Sequence, residues 1–393
     1  MNRPKTNEPI VSHRILFTIE SLFSLGAAQQ LKLLVDSLAQ AGHEIHVAVL
    51  GERAFEPTDW ADAGIKVYFL NGDDKTPLHT LRDGYYVARE LRKLIHTLSP
   101  GIVHSWCGRA ELLTLIATKD LPITPRWLKP KKPPRLISTE LFLQPEKSLT
   151  RKAIENRMNT RVEQLMVPHE TVRKHLVDNG HRQTRIDNVP NAASQPNPEI
   201  NRDEARRQIR AGMNLPATSF LAGAVAPLAH RSRLKDLVWA TDLLTCIGKD
   251  FHLLIIGKGS QLWRLKRFAA LTEAKEHVHF LGHPDSTDSV LAGLNFYWHS
   301  HLLDPLPGPM LSAMANGIPA VSVHGDGTRE IIRQQETGFA ANLGARDEFA
   351  RWTKFLIEKP GPALKLARQG QQFVQEQFKV SSMVDRYLAI YNR

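Results

Sequence analysis

One stretch of the chain, residues 295–338, places two strand-forming runs on either side of a proline-rich loop and a short helix. The runs Phe296–His299 and Ala320–Val323 each predict a strand. Between them, Pro309 suits the first turn of a helix and Gly317 its end. A helix that begins directly after such a loop presents unpaired backbone N–H groups and a partial positive charge, which favour an anion. The stretch therefore predicts either an anion site in an α/β protein or an ordinary surface helix of a doubly wound domain.

The same alternation of strands and helices runs through the rest of the chain. Residues 14–20 form a continuous apolar run, as expected for a strand buried on both faces, and residues 28–41 follow as an amphipathic helix. A second series begins at residues 219–225, after the segment 189–198, which is rich in proline and asparagine. A length of 393 residues also suggests two domains. We therefore expect an α/β protein of two Rossmann-like, doubly wound parallel-sheet domains that face a cleft.

Bulk composition is that of a globular protein, with 42% hydrophobic and 23% charged residues. No apolar run approaches the ~20 residues of a membrane helix, and the polar start of the chain lacks the apolar core of a signal peptide. The two cysteines, Cys107 and Cys246, lie far apart without the spacing of a metal site, which predicts reduced, buried thiols. Together these features predict a cytoplasmic protein.

The run at residues 304–332, DPLPGPMLSAMANGIPAVSVHGDGTREII, resembles the donor-site signature of retaining nucleotide-sugar glycosyltransferases of family four, which have the GT-B fold. In that family an acid is followed, after seven residues, by a second acid that opens Glu-Ala-Met-Ala-x-Gly-x-Pro, and later by a Glu. Asp304 falls on the first acid and Glu330 on the last. Ser312 falls on the second acid, which clasps the ribose hydroxyls in the family, and is not itself an acid.

The resemblance assigns roles to residues of both halves. In relatives a strand of the first domain ends with a histidine that faces the cleft, and His104 matches it, a packed core histidine being the alternative. Gly26 lies in a loop that resembles the Gly-Gly-Ala-Glu loop of the acceptor domain, where glycine permits close approach of a ligand, and a plain turn is the alternative. Asp304 is expected to meet the hydroxyls of the sugar.

The resemblance also implies how the leaving diphosphate is stabilised. Metal-independent GT-B enzymes use cationic side chains and a helix N-terminus for this purpose. In this chain Pro227 and Ser232 occupy the positions of the Arg and Lys that grip the phosphates, so Arg231, Arg233 and Lys258 are expected to replace them. The backbone N–H groups of Leu306, Gly308, Met310 and Leu311 remain to donate at the start of the helix, since three prolines there have none.

These arguments define a set of expected site residues, with no metal ligand and no cofactor among them. The expected catalytic residues are Asp304, His104 and Arg231, and the expected donor-binding residues are Gly26, Arg233, Gly257, Lys258, Gly259, Gly308, Met310, Leu311, Ser312 and Glu330.

The resemblance covers nearly the whole chain and implies a domain division. We expect an acceptor-side domain at residues 1–195, a nucleotide-sugar donor domain at 196–375, and a C-terminal helix at 376–393 that returns to the first domain. The implied activity is retaining, metal-independent transfer of a sugar from a UDP- or GDP-linked donor to a glycan or lipid-linked acceptor of the cell envelope. The alternative is a catalytically impaired GT-B protein that serves as a sugar- or nucleotide-binding or regulatory partner of an active transferase.

The net charge of +11 leaves several partners open. Nucleic-acid binding would need a basic patch interleaved with aromatic residues, and no such motif is present, so we expect no nucleic acid as partner. An anionic nucleotide donor, an anionic membrane or a diffusely basic surface each agree with the charge. The one concentrated basic run, residues 126–135, contains five basic residues and Trp127 without an acid, which suggests peripheral contact with the inner face of a membrane.

Overall fold

The computed structural model describes residues 12–22, 25–51, 58–71, 81–119, 133–143, 160–284, 287–301, 306–325 and 327–393. Two parallel sheets organise these residues. Among the helices of the described ranges, none combines the length and the apolar character needed to cross a membrane. Within the described ranges neither cysteine forms a disulfide; Cys107 is half-buried and Cys246 is exposed, so the expectation of a buried thiol is wrong for Cys246.

The first sheet has strand order β3-β2-β1-β4-β5-β6-β7, with every pairing parallel. Its central strand is buried on both faces because its side chains are apolar on both sides of the pleat. Ile15 pairs with Ile45 on one side and Ile102 on the other. The strands are β1 (Arg14–Ile19), β2 (Glu44–Val49), β3 (Lys66–Phe69), β4 (Ile102–Trp106), β5 (Arg135–Thr139), β6 (Gln164–Val167) and β7 (Ile186–Asn188).

Helices cover this sheet as the amphipathic pattern predicts. The apolar stripe Leu31, Leu34, Val35 and Leu38 is wholly buried and lies in one core cluster with the apolar side chains of β1. The described helices of this half are α1 (Leu25–Gln40), α2 (Thr58–Asp62), α3 (Leu81–Leu98), α4 (Gly108–Thr118) and α5 (Glu170–Asp178).

The second sheet has strand order β10-β9-β8-β11-β12-β13, again with parallel pairing throughout. Its strands are β8 (Phe220–Val225), β9 (Phe251–Ile256), β10 (Val278–Gly282), β11 (Phe296–His299), β12 (Ala320–Val323) and β13 (Phe339–Ala341). The helices of this half are α6 (Arg202–Gly212), α7 (Leu234–Cys246), α8 (Leu262–Ala269), α9 (Thr287–Gly293), α10 (Gly308–Ala315), α11 (Thr328–Ile331), α12 (Arg346–Glu358) and α13 (Pro360–Gln377).

In each sheet the chain reverses its direction of winding once. The reversal falls between β1 and β4 in the first sheet and between β8 and β11 in the second. Open α/β sheets bind ligands in the crevice outside the carboxyl ends of the strands at such a reversal. The prediction of two doubly wound domains is confirmed.

The last helix, α14 (Val380–Tyr391), returns to the first half of the chain. Its apolar face places Met383, Tyr387 and Tyr391 in the core cluster of β1 and α1. The guanidinium of Arg135, at the start of β5, donates to the carbonyl of Tyr391 at 2.7 Å and fixes the end of this helix. The predicted crossing of the C-terminal helix onto the first domain is therefore confirmed.

Candidate functional site

Two loops meet where the second sheet reverses. One connects β8 to α7 and contains Arg231, Ser232 and Arg233, and the other follows β11 from Ser300. The hydroxyl of Ser300 donates to the carbonyl of Ser232 at 2.7 Å, so the two loops are joined directly. The carboxyl ends of β8 and β11 thus form one continuous edge at which a ligand can approach.

The Gly-Lys-Gly turn after β9 is packed against the first of these loops. A Cβ on Gly257 would lie 2.0 Å from the carbonyl oxygen of Ala226, and one on Gly259 would lie 2.4 Å from that of Leu228. Both glycines have positive φ, 145° and 157°. The close backbone carbonyls and the positive φ values together require glycine at both positions. The presence of glycine is therefore accounted for without a ligand that approaches the turn.

Lys258, between these glycines, has an exposed side chain on the same edge. Burial, followed by the positive charge of Lys258, lowers the pKa of His283 to about 4. His283 follows β10, so the charge of Lys258 lies near the carboxyl end of that strand. The position agrees with the expected donor-binding role, which stays a prediction.

Arg231 and His301 lie close together at the reversal point. Arg231 is exposed, whereas His301 is only 5% exposed. Burial, followed by the charges of His299 and Arg231, lowers the pKa of His301 to about 3, so this imidazole is neutral at physiological pH. Its Nε2 is buried and has no hydrogen-bond partner among the described residues. A buried polar atom without a partner is costly, and a ligand at this edge would supply one.

Sequence reasoning missed His301 as a site residue. The available signal is its position, because a His-Ser-His run directly follows a strand whose carboxyl end lies at a reversal point.

The two positions that the resemblance assigns to phosphate-binding cations contact one another. The hydroxyl of Ser232 donates to the carbonyl of Pro227, which closes the loop between β8 and α7. Ser232 is fully buried. A lysine at position 232 would place an ammonium group where the serine hydroxyl now bonds to Pro227. The presence of serine in place of the family's lysine therefore affects the hydrogen bonding of the loop as well as its charge.

Arg233 does not take the expected phosphate-binding position. It has a left-handed backbone conformation, with φ of 50°, and precedes the first residue of α7. Its Nε donates to Oδ2 of Asp236 at 2.7 Å, and Nε of Arg346 donates to the other carboxylate oxygen at 3.0 Å. Asp236 has a side chain only 9% exposed and needs this neutralisation. The guanidinium of Arg233 is therefore an internal ion-pair partner, which corrects the interpretation of Arg233 as a donor-binding residue.

The start of α10 is more enclosed than the sequence predicts. Every residue of this helix is buried, and Met310 and Leu311 each donate their backbone N–H to the carbonyl of Pro307 at 3.1 Å. The amide groups of Met310 and Leu311 are therefore already paired, and their side chains lie in the core. The expectation that both amides remain available for an anion is wrong, because the first turn of the helix closes on Pro307.

Helix α1 of the first domain covers this helix start. A Cβ on Gly308 would lie 2.7 Å from Nε2 of Gln30, and a Cβ on Gly26 would lie 3.8 Å from Cδ of Pro309. Gly26 and Gly308 thus lie at the contact between the two domains, and their expected contacts with the donor stay predictions. A side chain at position 308 would collide with Gln30, whereas a Cβ on Gly26 would make an ordinary van der Waals contact with Pro309.

Ser312 is also part of this contact. Its hydroxyl accepts hydrogen bonds from the side chain of Gln29 at 3.2 Å and from the backbone N–H of Ser194 at 3.3 Å. The side chain is 1% exposed. The residue aligned with the ribose-binding acid therefore bonds to α1 and to the linker in this arrangement of the domains.

Glu330 faces the first domain across the cleft. Its carboxylate lies 3.0 Å from Nε2 of His169, in ion-pair contact but outside hydrogen-bond geometry. Nδ1 of His169 accepts the backbone N–H of Thr171 and caps α5. Because Nδ1 is an acceptor, the ring proton of the neutral form lies on Nε2, on the side of Glu330.

His104 lies in the core and not at the cleft. Strand β4 continues to Trp106, two residues beyond the predicted end, so His104 lies inside the sheet. Its Nδ1 is 2.7 Å from the hydroxyl of Tyr391, its Nε2 is 2.8 Å from that of Thr139, and it has no exposed surface. Burial lowers its pKa to about 3. The expectation that His104 faces the cleft is wrong, because α14 covers it, and the packed-histidine alternative describes it.

Two charged residues at the carboxyl edge of the first sheet were not anticipated. Glu20 follows β1, Arg109 follows β4, and the guanidinium lies 2.7 Å from the carboxylate. Both are nearly half exposed. The sequence pattern that could have predicted them is the one noted for His301: a polar residue shortly after a buried strand.

Some expected residues lie outside the described ranges, among them Asp304 and residues 126–132 of the basic run. Arg135, at the end of that run, pairs with Glu163 at 2.9 Å in addition to fixing α14. Within the described ranges, the one group of residues with the spacing of metal ligands, Asp250, His252 and His277, lies at the opposite end of the second sheet.

Both halves of the chain match profiles of known families. Residues 26–192 match the glycosyl transferase 4-like domain, and residues 205–373 match the glycosyl transferases group 1 family. Among curated proteins, the lipopolysaccharide core biosynthesis glycosyltransferase LpsE of Rhizobium meliloti is 25% identical over 181 residues, which cover 46% of this chain and 52% of LpsE. The 2-deoxystreptamine glucosyltransferase of Streptomyces kanamyceticus is 27% identical over 219 residues, or 54% of this chain and 56% of that protein.

The chain thus spans about half the length of the curated relatives it matches. Among solved structures, HepE of Anabaena in complex with UDP and glucose superposes with a TM-score of 0.79 at 17% identity, over 97% of this chain and 99% of that chain. This likeness concerns the fold. The two family matches together account for most of the chain, and the protein belongs to the group 1 glycosyltransferases, family four, with the GT-B fold.

Proposed function

We propose that the chain transfers a sugar from a nucleotide diphosphate sugar, UDP- or GDP-linked, to a glycan or lipid-linked acceptor. Transfer proceeds with retention of configuration and without a catalytic metal or cofactor, as expected from the family. The observation that carries the proposal is the pair of Arg231 and His301 at the reversal point of the second sheet. Arg231 is an exposed cation, and next to it lies the buried imidazole of His301, whose Nε2 has no hydrogen-bond partner among the described residues.

Similar proteins support a nucleotide-sugar donor. HepE was crystallised with UDP and with UDP-glucose, and LpsE is named for synthesis of the lipopolysaccharide core. These names make a UDP-sugar the first donor to test and a cell-envelope glycan the first acceptor class.

The chemistry needs a positive field where the diphosphate leaves. The leaving group gains negative charge as the glycosidic bond breaks, and cationic groups held in advance at that place lower the barrier. Arg231 and Lys258 are exposed at the carboxyl edge of the sheet and take this role. The neutral ring of His301 contributes a hydrogen bond without adding charge.

Donor binding requires α1 and α10 to separate. The hydroxyl of Ser312 is bonded to Gln29 and Ser194, and Gly308 lies against Gln30. A nucleotide that uses Ser312 or the start of α10 must first displace these contacts. We propose that the described arrangement is a closed form and that the linker allows the two domains to open.

A second candidate function is supported by the same region. The loop tied by Ser232 and Pro227 lacks both family cations, and α1 covers the start of α10. These observations favour a GT-B protein that binds a sugar, a nucleotide or a partner transferase without efficient catalysis.

Calorimetry with UDP, GDP, UDP-glucose and GDP-mannose distinguishes the two candidates. The transferase proposal expects saturable binding of one nucleotide, weakened in Arg231→Ala and Lys258→Ala and unchanged in Lys275→Ala, whose exposed side chain pairs with Glu276. Absence of binding by every nucleotide, or binding without release of the sugar from the bound nucleotide sugar in the same samples, would favour the second candidate. Binding that persists unchanged in both site variants would contradict the roles given to Arg231 and Lys258.

We further propose that the basic run at residues 126–132 contacts an anionic membrane on the cytoplasmic side, where a lipid-linked acceptor would lie. Vesicles of phosphatidylglycerol and phosphatidylcholine provide the test. The proposal expects sedimentation with the anionic vesicles that is lost when Lys129, Lys131 and Lys132 are replaced by Ala. Equal sedimentation of the variant, or none of either protein, would discard it.

A further inference from the structure

Asp250, His252 and His277 form a cluster at the amino end of the second sheet. Asp250 and His252 flank the first residue of β9, and His277 precedes the first residue of β10. One ligand atom from each residue lies within 4.8 Å of the other two. Carboxylate oxygen and imidazole nitrogen are ligands that zinc prefers, and three protein ligands are enough for a site that a water completes.

Each of the three side chains is oriented by a second partner. The hydroxyl of Ser219 donates to Oδ2 of Asp250 at 2.6 Å, which leaves Oδ1 toward the cluster. Nδ1 of His252 lies 3.0 Å from Nε2 of His279, and Nε2 of His252 lies 3.0 Å from Oδ1 of Asp250. In metal sites the ligating histidine gives its other ring nitrogen to an outer partner, and the ligating carboxylate is itself hydrogen-bonded.

His277 completes the same pattern. Its Nδ1 lies 3.0 Å from the carbonyl of Phe251, which can only accept, so Nδ1 carries the proton and Nε2 has a free lone pair. The rings of His277 and His252 stack with centroids 4.7 Å apart. The two imidazoles are therefore held side by side by the backbone of β9 and the loop before β10.

The cluster is open to solvent on one side. The side chain of Asp250 is 40% exposed, which gives an ion a path from solvent and leaves room for a water.

We propose that Asp250, His252 and His277 bind one divalent transition-metal ion, zinc by the nature of the ligands, with Ser219, His279 and the carbonyl of Phe251 as the outer partners that orient them. Zinc ligands lie about 2.0–2.2 Å from the ion, so ligand atoms of a tetrahedral site are roughly 3.4 Å apart. The ligand atoms now lie within 4.8 Å of one another, so binding would draw them together by at most about 1.4 Å. The ion would take the place of the proton between Nε2 of His252 and Asp250, and the ring would carry its proton on Nδ1 and donate it to Nε2 of His279, whose own ring proton would then lie on Nδ1.

The metal ion would stabilise the edge of the second sheet and would take no part in sugar transfer. Strand β9 has six residues and rises about 3.3 Å per residue, so the cluster lies roughly 20 Å from the Gly-Lys-Gly turn at the other end. Strand β10 is the edge strand and its start would be tied to β9 through the ion. The proposal is therefore independent of the donor site and agrees with metal-independent chemistry there.

The test uses the full chain without a histidine tag, stripped with a chelator and titrated with zinc chloride. Calorimetry and atomic emission are expected to give about one zinc per chain, and the unfolding temperature is expected to rise with zinc concentration, as for any ligand that binds the folded state alone. Cobalt(II) in the same site is expected to give visible absorption bands of tetrahedral intensity.

Two variants and one control decide the outcome. His277→Ala and Asp250→Asn are expected to abolish the zinc-dependent shift and the cobalt bands, whereas His96→Ala, on α3 of the other domain, is expected to keep both. Circular dichroism and urea unfolding verify that each variant is folded. No zinc binding by the wild type, or binding of full strength in both cluster variants, would overturn the proposal. If His277→Ala does not fold, the cobalt spectrum of Asp250→Asn is sufficient by itself to support or overturn the proposal.

Discussion

Gln30 and Ala192 exchange two hydrogen bonds across the contact between α1 and the interdomain linker. The side-chain Nε2 of Gln30 donates to the carbonyl of Ala192 at 2.8 Å, and its Oε1 accepts the backbone N–H of Ala192 at 2.8 Å. Both residues are 1% exposed. One side chain thus satisfies both polar groups of a buried linker residue, as a neighbouring strand would. These two bonds fix the linker against α1, the helix whose start covers α10.

Replacing Gln30 by Leu is expected to lower the free energy of unfolding by about 2–6 kcal/mol, because two buried backbone groups each lose their partner at about 1–3 kcal/mol. Urea unfolding at pH 7 measures the change. The matched control is Gln372→Ala on α13, which is exposed and bonds to Glu376 on the same helix, so its effect should stay within about 0.5 kcal/mol. Equal stability of Gln30→Leu and the wild type would contradict a structural role for this pair.

Arg231 and Arg233 are expected to separate binding from stability. Arg231→Ala should weaken nucleotide binding roughly 10- to 100-fold, the equivalent of one charge-assisted hydrogen bond, and leave stability unchanged. Arg233→Ala should lower stability by about 1–2 kcal/mol, because Asp236 would lose one of its two partners, and leave affinity unchanged. Calorimetry and urea unfolding on both variants provide the comparison. The reverse pattern would show that the phosphate-binding role belongs to Arg233.

His301→Ala is expected to weaken binding of the nucleotide sugar about 2- to 10-fold, the value of one neutral hydrogen bond. The reason is that Nε2 is buried without a partner among the described residues and lies near Arg231. His230→Ala, an exposed residue of the same loop as Arg231, serves as control and should bind normally. An unchanged dissociation constant for His301→Ala would remove this residue from the donor site.

His104 is expected to make the protein less stable in acid. Burial lowers its pKa to about 3 in the folded chain, whereas an unfolded histidine has a pKa near 6.5. Between these values the unfolded state binds a proton that the folded state does not, so stability is lost as the pH falls from about 6.5 toward 3. The loss per pH unit is about 1.4 kcal/mol for one such residue.

In His104→Gln the plot of unfolding free energy against pH should therefore be shallower by that amount between pH 6 and pH 4.5. Urea unfolding at several pH values measures the slope. The neighbours Tyr387 and Tyr391 have raised pKa values because they are buried, so they do not titrate in this range. Parallel curves for the variant and the wild type would show that His104 takes up its proton in the folded state.

Gly257→Ala is expected to lower stability by about 2–5 kcal/mol. A Cβ at this position would lie 2.0 Å from the carbonyl oxygen of Ala226, and φ is 145°, so close contact and backbone strain add. Gly248→Ala is the matched control, since its φ is 74° but no atom lies within 4 Å of the added Cβ, and its cost should be about 1–2 kcal/mol. Similar costs for both variants would mean that the turn after β9 adjusts to a side chain.

Much of the fold follows from local pattern. The buried strand β1 is visible in the sequence as a continuous apolar run, because a strand buried on both faces needs apolar side chains at every position. The buried stripe of α1 is visible as apolar residues with a period of 3.6, because only one face of the helix packs on the sheet. Pro309 predicts the start of α10 to within one residue, since proline fixes φ at a value that suits a first turn. The return of the last helix was available only through the family resemblance.

The position of His104 could not be obtained in the same way. The end of β4 is set by pairing with β5, in which Trp106 is opposite Thr139, and the helix that covers His104 lies 276 or more residues further along the chain at Val380–Tyr391. A strand that ends two residues earlier would have placed the same histidine at the cleft. Long-range pairing therefore decided its environment.

By itself the sequence determined the alternation of strands and helices, the two-domain architecture and the presence of cations near Ser232. Only the tertiary structure decided that Arg233 pairs with Asp236 while Arg231 remains exposed, because Arg346 and α12 must first pack against α7. It also brought His252 and His277 together from positions separated by a whole strand and helix. Charge and periodicity are properties of neighbouring residues, whereas the partner of each polar group depends on which distant segments share its surroundings.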